Sequence, residues 1–413
     1  MKILHTSDWH IGKTLYGRKR YDEFEAFFSW LVETIEQEQV DVLLIAGDIF
    51  DTSTPGNRSQ QLYYRFLHRV AASTCRHVVI IAGNHDSPSF LSAPRELLRA
   101  LDVHVTGSLS GNPADEILVL HDPEGNAELI ACAVPHLRDR DIRTAEAGES
   151  IEDKSRKLVE GIRDHYAEVI NLARLQRTAL SSSIPIIAMG HLFVAGGQTV
   201  EGDGVRELYV GSLAHVPAGI FPPDIDYLAL GHLHVPQRVN GSSVMRYSGS
   251  PLPIGFGEAD QEKSVCLIEF NRQISATRPA VSLINIPVFQ PLERIRGNWQ
   301  VISDRISMLS AANSCAWLEI NYEGDEMITD LQERLQSAIE GSQLEILRIR
   351  NNRIMNQILD QIDDGGTLEE LSVNEVFEHC LSAAAIPVEQ RTELWRTYQE
   401  TLVSLDEEDI RAE

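Results

Sequence analysis

The chain has 413 residues, 43% hydrophobic and 23% charged, as in an ordinary globular protein rather than a disordered one. At about 150 residues per domain it has room for two or three domains, and no apolar run approaches the roughly 18 residues that span a bilayer. Acids outnumber bases 61 to 36, a net charge of −25, which excludes nucleic-acid binding by bulk charge alone. Residues 351–413 hold 15 acids and 4 bases, so −11 of that charge lies in the tail and −14 in the rest.

The first 270 residues repeat one pattern: a short apolar run ends in Gly or a polar turn, and a histidine or acid follows at once. The runs are Lys2–His5 before Ser7-Asp8-Trp9-His10, Val42–Ala46 before Gly47-Asp48, and Val78–Ala82 before Gly83-Asn84-His85-Asp86. Ile184–Met189 then precedes Gly190-His191, and Tyr227–Leu230 precedes Gly231-His232-Leu233-His234. Helices are expected between them, over Tyr21–Gln37 and Ser59–Ala72. Short apolar runs alternating with helices read as buried strands of an α/β layered domain. Ligands of such sheets sit beyond the carboxyl ends of the strands, where all five polar clusters fall.

From about residue 285 the pattern predicts strands over Leu292–Ile295, Cys315–Tyr322 and Leu344–Ile349, with helices over Asn298–Ala312 and Asp325–Ile339. That is a small β-α-β-α-β domain. The tail reads as helical. Ser372-Val373-Asn374-Glu375 fits a capping box. Val376, Phe377, Cys380, Leu381 and Ala384 form one apolar stripe, and Leu394, Trp395, Tyr398, Leu402 and Leu405 another. Such faces pack against each other, against the main body or against a partner. Gly365-Gly366 marks a joint.

The N-terminus carries Asp8 and two histidines where a secretory signal would be apolar, so the expected location is the cytoplasm. The five cysteines (75, 132, 266, 315 and 380) form no C-x-x-C pair. They read as reduced, mostly buried thiols, not as disulfides or a zinc ribbon.

Asp8, His10, Asp48, Asn84, His191, His232 and His234 can each offer a lone pair to a divalent cation. Carboxylate, amide and imidazole without thiolate favour Mn²⁺ or Fe²⁺ and admit Mg²⁺ or Zn²⁺. On an extended segment, Asp8 and His10 would point to one side, as would His232 and His234. If Asp48 bridges two ions about 4 Å apart, seven ligands make eight bonds, four to each ion. Two such cations activate a water and stabilise displacement at phosphorus. His85 is the candidate to protonate the leaving oxygen. Asp86 could orient His85 or cap the next helix, and Asp51 could support a ligand from behind.

Each motif alone is weak, since Gly-Asp and Gly-His are ordinary turns and most Asp and His side chains bind no metal. The strength lies in five clusters, each after a strand. Nine of the 14 histidines (5, 68, 77, 104, 121, 136, 165, 215 and 379) fall outside the set. A P-loop and a Gly-x-Ser-x-Gly elbow are absent from the sequence. Tyr247-Ser248-Gly249-Ser250-Pro251 could be a substrate-facing turn or a plain one.

The five motifs, in order, resemble those of calcineurin-like metallophosphoesterases. Met1 to His10, Ala46–Asp51, Leu137–Asp141, Tyr247–Pro251 and Leu371–Phe377 are further similar to the bacterial SbcD nuclease family, over most of the chain. The resemblance implies a metallophosphoesterase β-sandwich flanked by helices over 1–284, a DNA-orienting capping domain over 285–350 and a helical tail over 351–413. It implies 3′-to-5′ exonuclease action on double-stranded DNA and endonuclease action on single strands and hairpins, in recombination, replication and repair. It implies two Mn²⁺ ions, with Mg²⁺ or Fe²⁺ as substitutes. One would be held by Asp8, His10, Asp48 and His234, the other by Asp48, Asn84, His191 and His232, with His85 assisting catalysis. The implied partner is an SbcC-like coiled-coil ATPase, docked by the tail. A homodimer within a heterotetramer would form through helices such as Ser59–Ala72 and Arg95–Leu101.

Archaeal relatives carry histidine where Asp51 stands, whereas bacterial members resemble this chain there. Arg18, Lys19, Arg20, Arg58 and Arg65 could touch phosphates, with solvated surface the simpler reading. A small nucleotide phosphoester is the alternative substrate, because a shared metal core does not fix the substrate. A non-catalytic scaffold is a further alternative, opposed by the seven intact ligand candidates.

Overall fold

The computed structural model describes residues 1–143, 149–181, 183–195, 216–271, 278–324, 328 and 330–351, together with 377, 381, 391, 394, 395 and 398. The chain divides into two compact units, Met1–Leu292 and Glu293–Glu413.

Two six-stranded sheets build the first unit. One runs in the order Ala280–Asn285, Ser264–Glu269, Lys2–Thr6, Val42–Ala46, His77–Ile81 and Val103–Thr106. The other runs Gln237–Arg238, Met245–Tyr247, Tyr227–Gly231, Ile186–His191, Ala127–Ala133 and Ile117–His121. The five strands expected from sequence lie at the centres of these sheets. Lys2–Thr6, Val42–Ala46 and His77–Ile81 pair in parallel, as do Ile186–His191 and Tyr227–Gly231. Parallel pairing brings their carboxyl ends to the same edge of each sheet, which is why the polar clusters gather.

Three hydrophobic layers hold the sandwich. Ile3, Val42, Leu44, Val79, Ile187, Met189 and Ala229 fill the space between the sheets. Helices Tyr21–Glu38 and Asn57–Ala71 cover the first sheet, burying Phe24, Phe27, Phe28 and Leu31 from one and Leu62, Tyr63, Phe66 and Leu67 from the other. This spacing is that of an apolar stripe on a 3.6-residue helix. Helix Ile151–Leu180 covers the second sheet with Leu158, Ile162, Tyr166, Val169 and Ile170. Ser150 caps it, its side chain accepting from the Asp153 amide, which satisfies one of the free amides of the first turn. Sequence periodicity left this 30-residue helix unassigned.

In the second unit a three-stranded sheet runs Leu292–Gly297, Trp317–Tyr322, Glu345–Asn351. Helices Trp299–Ala311 and Leu331–Ile339 alternate with the strands, and Ile302, Ile306, Leu318, Ile320 and Leu335 form the core. The second helix starts six residues later than Asp325: Ile328 and Asp330 lie outside it. Its buried residues, Leu331 and Leu335, are one turn apart, and this short repeat sets its length. In the tail, Phe377, Leu381, Leu394, Trp395 and Tyr398 are helical. The Phe377 ring stacks on Tyr398 at 3.9 Å, and Trp395 meets both edge-on. At these positions the two apolar stripes pack on each other. The capping box and the Gly365-Gly366 joint lie outside the described residues. Cys75, Cys132 and Cys266 are buried, Cys315 is exposed, and none of the four is in a disulfide. Among the described residues no helix is long and apolar enough to cross a membrane.

Candidate metal centre

All seven ligand candidates meet at the carboxyl ends of the central strands. The Asp8-Trp9-His10 segment is not extended: Asp8 and His10 have φ of 53° and 48°. Trp9 sets this shape. Its ring is fully buried against Phe27, Phe28 and Phe66, and its indole nitrogen donates to Thr6 Oγ1 at 3.0 Å. The Asp8 amide donates to Gly47 O and the His10 amide to Asp48 O, both at 3.0 Å, which locks the first ligand loop to the second. Asp48 and His232 also have positive φ, 49° and 102°. Backbone strain of this kind, about 1–3 kcal/mol per residue, persists only where surrounding contacts enforce it.

The loops approach so closely that two glycines are obligatory. A Cβ on Gly83 would press into the Asp48 carboxylate and amide, and one on Gly231 into Ala46 O. Asp86 ties the same loops together. Its carboxylate accepts from the amides of Gly83 at 2.9 Å, Phe50 at 3.0 Å and Ile49 at 3.1 Å. Burial, then the charge of Asp48, pushes its pKa up to about 6. Asp86 therefore fills neither role foreseen for it, since Ser87 caps the next helix. It is the main-chain carbonyl of Asp51 that orients His85, accepting from Nδ1 at 2.9 Å. The Asp51 side chain stands 3.4 Å from His10 Nδ1 and 3.3 Å from Lys13 Nζ.

The tautomers decide what this cluster can hold. His191 Nδ1 lies 2.8 Å from Ala46 O. A carbonyl only accepts, so Nδ1 carries a hydrogen and Nε2 is the atom left to take a cation or, without one, a proton. That Nε2 faces Asn84 Oδ1 at 3.0 Å and Asp48 Oδ2 at 3.2 Å. His10 turns Nδ1 toward Asp51, and His234 turns Nδ1 toward Glu258 Oε1 at 3.5 Å. Their two Nε2 atoms then face each other at 3.2 Å. Asp48 Oδ2 is 3.6 Å from His10 Nε2, so one carboxylate oxygen lies near both halves of the cluster. Asn84 Oδ1 is also 3.0 Å from His232 Nδ1, and Asp8 Oδ1 accepts from the His232 amide at 2.9 Å.

Buried lone pairs facing one another repel unless a cation or proton stands between them. Burial holds the His10 and His232 rings below their ordinary pKa. Burial would raise Asp48, but His191 and then His10 outweigh it and hold it well below the usual carboxylate range. Burial would likewise lower His191, yet the Asp48 carboxylate raises it to about 9. The donor set thus fits hard-to-borderline divalent cations.

Long-range contacts complete the site. Glu258 behind His234 is fully buried and ion-paired with Lys263, whose ammonium also donates to His234 O at 3.0 Å and Ser250 Oγ at 3.1 Å. Ser248 lies 2.8 Å from Ser7, which donates to Asp8. Tyr247 OH donates to Leu192 O at 2.7 Å and accepts from the Val194 amide at 2.8 Å. Tyr247–Pro251 is therefore a buttress under the ligand loops, neither a substrate-facing turn nor a plain one. His136 Nδ1 reaches His191 O at 3.1 Å. A signal for it was present, because Leu129–Val134 followed by Pro135-His136 repeats the strand-then-histidine pattern. Glu258 and Lys263 gave no such local signal. Arg20 is buried, bound to Glu23 through two nitrogens, and so serves the fold rather than a phosphate.

The calcineurin-like phosphoesterase profile matches residues 1–236, which contain all seven candidates. The profile of the type 5 capsule protein repressor C-terminal domain matches residues 288–384. The SbcD component of the Escherichia coli K12 nuclease SbcCD is 35% identical over 407 residues, 98% of each chain. The chain belongs to the SbcD family of calcineurin-like phosphoesterases. Its SbcD-family relatives include that of Rhodobacter capsulatus, 34% identical over 84% of this chain and 86% of that one. The Bacillus subtilis protein is 36% identical over 68% and 70% respectively. The family read from the motifs and the layered α/β fold are both borne out. An SbcD-family phosphoesterase is a divalent-metal enzyme. Here Asp8, His10 and His234, and again Asp8, Asp48 and His191, offer ligand atoms within 4.8 Å of one another.

Proposed function

We propose that the chain is the nuclease component of an SbcCD-type complex. It acts as a Mn²⁺-dependent 3′-to-5′ exonuclease on double-stranded DNA and an endonuclease on single strands and hairpins. One observation carries this reading: imidazole nitrogens and carboxylates converge in a chain that aligns end to end with the SbcD component of an SbcCD nuclease. Asp8, His10, Asp48 and His234 would hold one ion, and Asp48, Asn84, His191 and His232 the other. When bound, the two cations lower the pKa of a water and neutralise charge on the phosphoryl oxygens.

The chain's own groups do the rest. Asp51 O fixes the His85 hydrogen on Nδ1, leaving Nε2 as the atom that carries a proton to the leaving oxygen. The His85 amide donates to Asp48 Oδ1 at 2.9 Å, so the proton donor and the shared carboxylate move as one piece. The Asp51 and Glu258 carboxylates stand 3.4 and 3.5 Å from Nδ1 of His10 and His234, where such groups orient metal-binding histidines. The strained loops need no reorganisation when charge develops, which is the basis of electrostatic catalysis.

Residues 285–350 would orient DNA, and the tail would dock on an SbcC-like coiled-coil ATPase within a heterotetramer containing a dimer of this chain. The support is that the Escherichia coli alignment spans 98% of the chain. A partner ATPase would also supply the DNA grip that a net charge of −25 withholds. The test is cleavage of end-labelled hairpin and blunt duplex DNA with Mn²⁺, with and without the ATPase and ATP. Partner-stimulated cleavage by wild type is expected. Hydrolysis of small nucleotide phosphoesters with no cleavage of DNA under any condition would overturn it.

A further inference from the structure

At the opposite end of strand His77–Ile81 lies a second group of metal-type side chains. His77, Asp102 and His104 each place a ligand atom within 4.8 Å of the others. The four steps of the strand, at about 3.3 Å each, separate His77 from the catalytic end by roughly 13 Å. The pairing explains the grouping. Val79 stands opposite His104. His77 shares a face with Val79, so both histidines project from one side of the sheet. Asp102 precedes the edge strand Val103–Thr106, and its carbonyl accepts from the Val78 amide at 3.0 Å.

The tautomer of His77 is set by its surroundings. Its Nε2 lies 2.9 Å from His121 O, a carbonyl that also accepts from Arg76. A carbonyl can only accept, so Nε2 carries the hydrogen and Nδ1 presents a lone pair. That Nδ1 is buried and has no hydrogen-bond partner, which is costly unless something occupies it. Metal-binding histidines show this arrangement, one ring nitrogen donating to a backbone carbonyl and the other bare. His77 and His104 are half-buried and Asp102 is exposed, so a cation has a path in from solvent.

We propose that His77, His104 and Asp102 form a second divalent transition-metal site, separate from the catalytic centre and of the kind that takes Zn²⁺. Two imidazoles and a carboxylate are three protein ligands of a tetrahedral zinc, with water as the fourth. Ligand atoms around such an ion stand about 3.4 Å apart, so side-chain rotation of Asp102 and His104 closes the remaining gap. The ion would clip the edge strand Val103–Thr106 to its neighbour. The proposal uses none of the seven catalytic candidates and stands or falls apart from the proposed function.

The test is Zn²⁺ titration of the chelator-stripped full chain against a chromogenic competitor. Wild type is expected to take up one more Zn²⁺ per chain than His104→Ala or His77→Ala. Zinc should raise the Tm of wild type more than that of either variant. Mn²⁺-supported hydrolysis of a nitrophenyl phosphodiester should be the same in all three. Equal zinc uptake by wild type and His104→Ala would overturn the site, as would a loss of Mn²⁺-supported activity matching the loss of zinc. Should the histidine variants fold poorly, Asp102→Asn at an exposed position carries the test. Weakened uptake of that one ion supports the site, and unchanged uptake overturns it.

Discussion

Glu258 and Lys263 form an ion pair in which neither side chain is more than 4% exposed, directly behind His234. Breaking such a pair from one side strands a buried charge, at a cost of about 3–5 kcal/mol. Lys263→Met is expected to lower unfolding stability by that amount in urea titrations. Glu258→Gln keeps the shape but weakens the hold on the His234 tautomer, and should reduce affinity for the ion at His10 and His234 by about 10–100-fold. Metal content after dialysis measures it, and unchanged content would remove Glu258 from the site.

His85 is tied to the centre by its amide on Asp48, by Nδ1 on Asp51 O and by its ring edge-on to His10, and it is none of the seven proposed ligands. His85→Ala should therefore bind both ions as wild type does and lose turnover by about 10²-fold or more. Single-turnover cleavage beside metal analysis separates the two. Full turnover in the variant would end its role as proton donor.

His5 predicts how stability depends on acidity. The ring is fully buried 3.0 Å from Tyr227 OH, and burial lowers its pKa from 6.5 to about 3. Between those values the unfolded chain binds a proton that the folded chain refuses. Stability is therefore intact above the unfolded pKa and falls as pH drops toward the folded one. For metal-free protein this group alone should cost about 2 kcal/mol between pH 7 and pH 5. His5→Gln should be less stable at pH 7 and show a flatter acid limb. Parallel pH profiles for the two proteins would contradict it.

Gly83→Ala places a methyl against the Asp48 carboxylate and amide. Overpacking in a closed site costs typically about 1–3 kcal/mol, and here the shift falls on the shared carboxylate. Metal content should drop along with Tm. Full metal content with wild-type Tm would show that the loops can part.

Deleting residues 352–413 removes the paired aromatic stripes of Phe377, Trp395 and Tyr398. Mn²⁺-dependent phosphodiester hydrolysis should survive in the shortened chain, while co-purification with the coiled-coil ATPase should not. Retained co-purification would place the docking surface elsewhere.

The parts of the fold readable from sequence were those written locally. The strands ending at Thr6, Ala46, Ile81, His191 and Gly231 were visible because each is a short apolar run punctuated by glycine or a polar turn. The convergence of their seven polar neighbours followed from the rule that ligands sit at carboxyl ends of parallel strands. The extended geometry expected of Asp8 to His10 did not hold, because the burial of Trp9 among three phenylalanines overrides local preference. Glu258 and Lys263 were missed, and Ser248 was noticed within Tyr247–Pro251 without its supporting role, because their partners lie far away in sequence: Ser248 meets Ser7 across 241 residues. The role of Asp86 was missed for the same reason, since a carboxylate that accepts three amides looks in sequence like any loop acid.

Strand Lys2–Thr6 pairs on one side with Val42–Ala46 and on the other with Ser264–Glu269, with Lys2 opposite Glu269. A nascent chain emerging from the ribosome thus holds its first strand half-zipped until Ser264–Glu269 is synthesised. Closing so long a loop is slow. Lys263, which pins His234, arrives at the same moment. A message broken just before that point yields a polypeptide with every ligand residue and with Glu258, but without the Lys263 ammonium that pairs with Glu258 and grips His234 O.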